Sequence, residues 1–308
     1  MTKEQYLKNL SVPAGIVDVV LDTDAFNEVD DLFAIAYLLA SDHKLNTTAI
    51  YAAPFLNNLS VSASDGMEKS FTALHKILEL SGRDIPTYRG SRSFLTDDET
   101  PVISDAAKDL VRRAKAYSPE KPLYVIAIGA ITNIASAILL EPKITENIVV
   151  VWLGGHAHHY HDTAEFNLRQ DVPAARVVMG SGAPFVQLPC NGVVSSFTIS
   201  KPELEYWMMG KNPVADHLAN TAIRFAEDYA AGTPWTRPLW DVTAVAWLLN
   251  ENEQYMFSRI EDLRLPNKDM QYDPPMSDHP IRYIYHIRRD KLMTELLKTL
   301  ADGSHFCK

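Results

Sequence analysis

The sequence predicts an α/β fold: an open, mostly parallel, Rossmann-like sheet flanked by helices. Three observations carry this expectation. Short apolar runs rich in β-branched residues alternate with helical patterns through about residue 190, an order that implies right-handed βαβ crossovers. The 308 residues are enough to bury a large core. No internal repeat, low-complexity linker or break in composition divides them, so residues 1–308 are read as one domain. Its helical and mixed C-terminal portion, from about residue 200, is expected to pack on the same core.

The elements follow in order. "IVDVVLD" (16–22) reads as a buried strand, and residues 30–41 as a helix with little polar surface. "LNTTAIYAA" (45–53) is a second strand. "DGMEKSFTALHKILELSG" (65–82) is a helix closed by Gly82. Residues 104–117 read as a helix, 122–129 as a strand and 130–142 as a helix. "NIVVVWLGG" (147–155) is a strand ending in glycines, followed by a helix over 171–182 and a strand over 184–189. Helices are then expected at 202–209, 213–231 and 239–250, strands near 257–265 and 281–287, and a last helix over 289–301.

Composition narrows the function. The formal net charge of -10 argues against a duplex-binding surface, which needs a basic stripe. The two cysteines, Cys190 and Cys307, lack metal-ligand spacing and fit a reducing compartment. The first fifteen residues lack the basic start and apolar stretch of a signal peptide, and no apolar run is long enough to span a membrane. These features give the expectation of a cytoplasmic protein without nucleic-acid or membrane partners.

Ligands of open parallel sheets bind beyond the carboxyl ends of the strands. Four segments should therefore converge on one rim: the acids after 16–22, "PFLNN" after 45–53, "AITN" after 122–129 and "GGHAHHYHDTAEFN" after 147–155. The first packs Asp22, Asp24, Glu28, Asp30 and Asp31 into ten residues. Acids in a helix's first turn interact favourably with its dipole by about 0.3–1 kcal/mol each, which accounts for Asp30 and Asp31. Asp22 and Asp24, alternating at a strand end, are expected on one face. Four acids at one junction exceed what capping needs and suit a hard divalent cation.

Here "LDTDAFNEVDDLFAIAYLL" resembles the N-terminal signature of the inosine-uridine preferring nucleoside hydrolases: Asp-x-Asp, a short turn, then Asp-Asp opening an apolar helix. "IGAITNIASAILLEP" (128–142), "AEFNLRQDVPAA" (164–175) and "LWDVTAVAWLL" (239–249) resemble later family segments in the same order. Each is weak alone; four in order are specific. The resemblance implies a nucleoside hydrolase-like fold and a calcium-dependent N-ribohydrolase. Such an enzyme cleaves a nucleoside or related N-riboside to ribose and free base, and is a homodimer or homotetramer. It implies Ca²⁺ held by Asp24, Asp31, Asp241 and the backbone carbonyl of Ile128, with Asp24 also the general base toward a water. Asp30, Glu165 and Asn167 would hold ribose hydroxyls, Asn57 or Asn58 would orient the water or the sugar, and Asp22 would support the loop. The chemistry suits these types: breaking the C–N bond develops positive charge on the ring, which carboxylates stabilise.

Three features depart from the family pattern. Five residues, "AFNEV", separate Asp24 from Asp30 where three are common, which brings Asn27 or Glu28 into consideration as site residues. Trp240 precedes Asp241 where purine-accepting members carry a histidine; an indole N–H donates but is no acid near neutrality. The loop after residue 155 carries His156, His158, His159 and His161, any of which has the pKa range for protonating a leaving base, with His159 the expected one. Trp207, Tyr229, Trp235 and Trp240 are the aromatic candidates for stacking on a base. Two other classes remain: a ribose-binding protein without catalysis, suggested by Trp240, and a haloacid-dehalogenase-like phosphatase, which shares Asp-x-Asp but needs a suitably placed lysine. Lys121 and Lys143 are poorly placed for that role.

Overall fold

A computed structural model describes residues 1–306; Cys307 lies outside the described residues. The chain begins with α1 (Lys3–Asn9), β1 (Val17–Thr23), α2 (Asp30–Ala40), β2 (Leu45–Ala52) and α3 (Ala63–Ser81). Next come β3 (Thr87–Arg89), α4 (Asp105–Ala114), β4 (Leu123–Ala127), α5 (Thr132–Leu140) and β5 (Ile148–Leu153). Then follow α6 (Phe166–Gln170), α7 (Val172–Gly180), β6 (Phe185–Leu188), β7 (Thr198–Ser200), α8 (Lys201–Trp207) and α9 (Pro213–Ala230). The chain closes with β8 (Thr236–Pro238), α10 (Val242–Leu248), β9 (Met256–Leu263), β10 (Met276–Ile287) and α11 (Arg289–Ala301).

Eight strands form one sheet in the order β3-β2-β1-β4-β5-β6-β10-β9. All neighbours pair in parallel except β9, which runs antiparallel to β10 at the edge. The expected open, mostly parallel sheet is therefore present. Beyond the expected elements are the short α1, β3 and α6, and the β7–β8 ribbon. These have three to seven residues, too few for a periodic pattern to stand out.

Strand residues alternate between two apolar layers, as a pleated sheet requires. Val19 and Leu21 of β1 face α2 and the α9–α11 side, whereas Val20 meets Ala107, Leu110 and Ile134 of α4 and α5. All eleven residues of α2 are buried, because the helix lies against the sheet on one side and α10 and α11 on the other. A helix buried all round needs no polar face, which is why its sequence is apolar after Asp30 and Asp31. The strand order turns back between β1 and β4. That switch point opens a crevice at the carboxyl ends of the two strands, where the acid-rich turn emerges.

Candidate active site

A pocket of about 470 Å³ occupies this crevice. Every strand from β1 to β6 except β3 sends a following segment to it. Asp24 follows β1, Asn57 and Asn58 follow β2, Ile128 follows β4, Glu165 and Asn167 follow β5, and Cys190 and Asn191 follow β6. Asp30 and Asp31 enter from the first turn of α2, and Trp240 and Asp241 from the start of α10. Of the four segments expected on one rim, three line the pocket; no residue of "AITN" (130–133) does, and the end of β4 contributes Ile128 in its place.

The carboxylates are packed closely. Asp24, Asp30, Asp31 and Asp241 are each at most 4 % exposed. Oxygens of Asp30, Asp31 and Asp241 lie within 4.8 Å of one another. Thr23 Oγ1 donates to Asp31 Oδ1, and the Asp241 N–H donates to Asp30 Oδ2 at 3.2 Å. Asp241 stands at the N-cap position of α10, yet its side chain makes no capping hydrogen bond; it turns into the cluster. Capping therefore does not account for it. Burial, followed by repulsion from Asp31 and Asp30, holds the Asp24 carboxyl well above the usual range. Burial and neighbouring carboxylates do the same to Asp31 and Asp241, and burial raises Asp30 to about 6.

This donor set fits a hard cation. Asp24 Oδ2 and Asp30 Oδ1 are buried without a hydrogen-bond partner. Arg169, among the described residues the only Lys or Arg lining the pocket, lies with its guanidinium carbon 5.4 Å from the Phe166 ring centroid. Desolvated carboxylates facing one another need positive charge or protons, and oxygen-only donors are the preference of hard divalent ions. The cluster could hold a metal.

On another wall, Glu165 caps α6. Its carboxylate accepts from the N–H groups of Gly155 (3.1 Å), Asn167 (2.8 Å) and Leu168 (2.9 Å). These bonds lower its pKa, but burial outweighs them and raises it to about 7. Asn167 Nδ2 donates to the Leu153 carbonyl at 3.0 Å. Asn57 accepts from the Leu59 N–H and donates to Asn27 Oδ1 at 2.7 Å. Asn27 and Glu28 of the long turn both line the pocket. Glu28 forms an ion pair with Arg237, whose guanidinium lies within 6.0 Å of the ring centroids of Phe225, Tyr229 and Trp240.

Three expectations need correction. Asp22 and Asp24 do not share a face: the chain leaves the strand at Thr23, and Asp22 points into the other layer. There it accepts from Asn133 Nδ2 at 2.7 Å, and burial raises it to about 7. His159 does not line the pocket; it borders a separate recess with Arg259 and Tyr283. The Ala157 N–H bonds the Asn191 carbonyl and the Tyr160 N–H the Ala157 carbonyl, so the loop turns away after its first histidine. His156 is the histidine at the pocket, accepting at Nδ1 from the Asn191 N–H at 3.2 Å, with burial lowering its pKa. Of the four aromatic candidates only Trp240 lines the pocket, with its indole N–H buried and unpartnered. Trp207 sits edge-on to Tyr206 and Trp235 packs against the core. Tyr229 is mostly exposed and accepts from Arg237. Neither Lys121 nor Lys143 lines the pocket, which leaves the phosphatase reading without its lysine.

Cys190, Asn191 and Phe166 are lining residues that sequence reasoning did not single out. Cys190 and Asn191 follow β6, the fifth strand in the rim, and that position was the available signal.

Comparison with known proteins agrees with this geometry. The family profile described as inosine-uridine preferring nucleoside hydrolase matches residues 19–291. The pyrimidine-specific ribonucleoside hydrolase RihA of Enterobacter sp. (strain 638) is 26 % identical over 261 residues, 75 % of this chain and 78 % of that protein. The non-specific ribonucleoside hydrolase RihC of Salmonella paratyphi B (strain ATCC BAA-1250 / SPB7) is 26 % identical over 259 residues, with coverage of 75 % and 78 %. Among solved structures, the purine-preferring ribonucleoside hydrolase from Gardnerella vaginalis superposes with a TM-score of 0.75 at 18 % identity, covering 94 % of this chain and 99 % of that one. With a profile match over most of its length, motifs in the family's order and their carboxylates gathered at one switch point, the chain belongs to the inosine-uridine preferring nucleoside hydrolase family.

Proposed function

We propose that the protein is a calcium-dependent N-ribohydrolase that cleaves a ribonucleoside or related N-riboside to ribose and free base. The observation that carries this reading is the buried Asp24–Asp30–Asp31–Asp241 cluster facing Glu165 and Asn167 across one pocket. Asp24, Asp31, Asp241 and the Ile128 carbonyl are the residues that would hold Ca²⁺, which when bound supplies Lewis acidity and balances the clustered negative charge. Asp30, Glu165 and Asn167 grip the ribose hydroxyls, and Asn57 or Asn58 orients the water or the sugar. Holding sugar and water in register removes much of the entropic barrier.

In the proposed step a water oxygen forms a bond to the anomeric carbon and gives a proton to Asp24. The C–N bond breaks and its electron pair leaves with the base nitrogen. Positive charge developing on the ring is stabilised by the surrounding carboxylates. The deprotonated form Asp24 needs as a base is disfavoured by burial and its neighbours, so positive charge beside it is part of the reading. The leaving base meets Trp240, Asn191 and His156; Trp240 supplies a donor and stacking surface but no acid. The reading carries with it a cytoplasmic homodimer or homotetramer acting on small molecules.

A reducing-sugar assay with calcium, across inosine, uridine, adenosine, cytidine and nitrophenyl riboside, tests this proposal. Asp24→Asn should lower turnover by about 10²–10⁴-fold, the usual contribution of a positioned base. No turnover of any riboside, with ribose still bound in calcium, would replace the hydrolase by a sugar-binding protein.

A further inference from the structure

A second cavity, of about 560 Å³, lies between α3, α9 and the 25–29 turn. The turn is a wall shared with the carboxylate pocket. Asp24 and Asn27 line that pocket, Ala25, Phe26 and Val29 line this cavity, and Glu28 borders both. The surface here is mainly apolar, with Phe26, Leu32, Ala73 and Phe225 among its lining residues. Phe26 is 46 % exposed, so an occupant that covered it would gain apolar burial.

The charges at the mouth are unevenly satisfied. Glu68 is engaged by Arg89 at 2.8 Å, Lys69 by Asp65 at 2.7 Å and Glu28 by Arg237. Arg224, among the described residues, has no carboxylate within ion-pair distance, and Lys76 has only a 3.7 Å approach to exposed Glu79. His217 also lines the cavity; burial, then Lys76 and Arg224, lower its pKa. The recess thus offers an apolar slot edged by two cations and one neutral imidazole donor. Its volume is in the ordinary range for small-molecule sites.

We propose that this recess binds a small aromatic anion, with its ring against Phe26 and Phe225 and its acidic group at Arg224 and Lys76. The fluorescent probe anilinonaphthalene sulfonate has this chemistry and tests the proposal directly on the full-length protein. Titration should show one saturable site. Arg224→Glu, a change at an exposed position, should weaken it by about tenfold through charge reversal. Thr72→Trp, also exposed and placed at the cavity wall, should abolish it by filling the slot. Asp24→Asn should leave it unchanged. Absence of saturable binding, or binding that survives both Arg224→Glu and Thr72→Trp, would overturn the proposal, as would binding lost in Asp24→Asn, which would put the dye in the carboxylate pocket. Circular dichroism of each variant keeps a folding defect distinct from a lost site. Because the readout is dye fluorescence, failure of the riboside assay would leave this result standing.

Discussion

At the scale of single residues, the five-residue turn between Asp24 and Asp30 carries an ion pair at the edge of the pocket. Glu28 reaches Arg237 beside Trp240. Arg237 is 7 % exposed, so removing one partner leaves the other poorly solvated. Arg237→Met should cost about 1–3 kcal/mol, read as a lower midpoint in urea with an unchanged slope; an unchanged midpoint would mean the pair contributes nothing. The histidines make a second residue-scale test. His156 borders the pocket and His159 does not. His156→Ala should lower nucleoside turnover by about tenfold or more, with less effect on nitrophenyl riboside, whose leaving group needs no acid. His159→Ala should leave both rates nearly unchanged, and the reverse pattern would restore the expectation drawn from sequence.

At the scale of elements, the site's carboxylates are placed by strand ends and helix starts: Asp24 follows β1, Asp30 and Asp31 open α2, Glu165 caps α6 and Asp241 stands at the start of α10. The segment carrying Asn57 and Asn58 is fixed by α3. Gly66 of that helix sits so close to Phe55 that a Cβ would overlap the Phe55 carbonyl oxygen. Gly66→Ala must push the helix and the 54–60 segment apart, at a cost of about 1–3 kcal/mol for overpacking. Because Asn57 moves with that segment, KM for ribosides should rise as well. A variant of wild-type stability would show that the helix has room to shift. The helix that Glu165 caps, α6, is five residues long and shows no period, so its N-terminus is visible only once Gly155, Asn167 and Leu168 are seen donating to one carboxylate.

At the scale of the whole molecule, the buried acids make stability depend on pH and on cations. Glu165 is raised to about 7 and Asp30 to about 6, with Asp24, Asp31 and Asp241 also raised, chiefly by burial. Their unfolded values lie near about 4. Between those limits the folded protein binds more protons than the unfolded chain, so the free energy of unfolding falls as pH rises. The metal-free protein should therefore lose thermal stability as pH rises from about 4 through about 7. Calcium should restore it, with an increment that grows with pH and reaches about 2.7 kcal/mol at a hundred times its Kd. A midpoint independent of both pH and calcium would argue against a cation in the cluster. We also expect residues 1–308 to unfold in one transition, and two separated calorimetric peaks would divide the domain read from sequence.

The sequence by itself determined the alternation of strands and helices, hence a parallel sheet with a ligand rim at its carboxyl ends. It also placed the turn carrying Asp24, Asp30 and Asp31 at that rim, because strand and helix patterns are local and repeat over many residues. Only the tertiary structure decided which way each side chain points once the pattern stops. Asp22 keeps to the layer of Val20 by strand alternation, and Asp24 departs from that face because the strand ends at Thr23. His156 rather than His159 faces the pocket because Asn191, from another strand end, holds the loop. Asp241 leaves its capping role to join Asp30 across 211 residues of chain. These outcomes depend on contacts between segments distant in sequence, and no local period encodes such contacts.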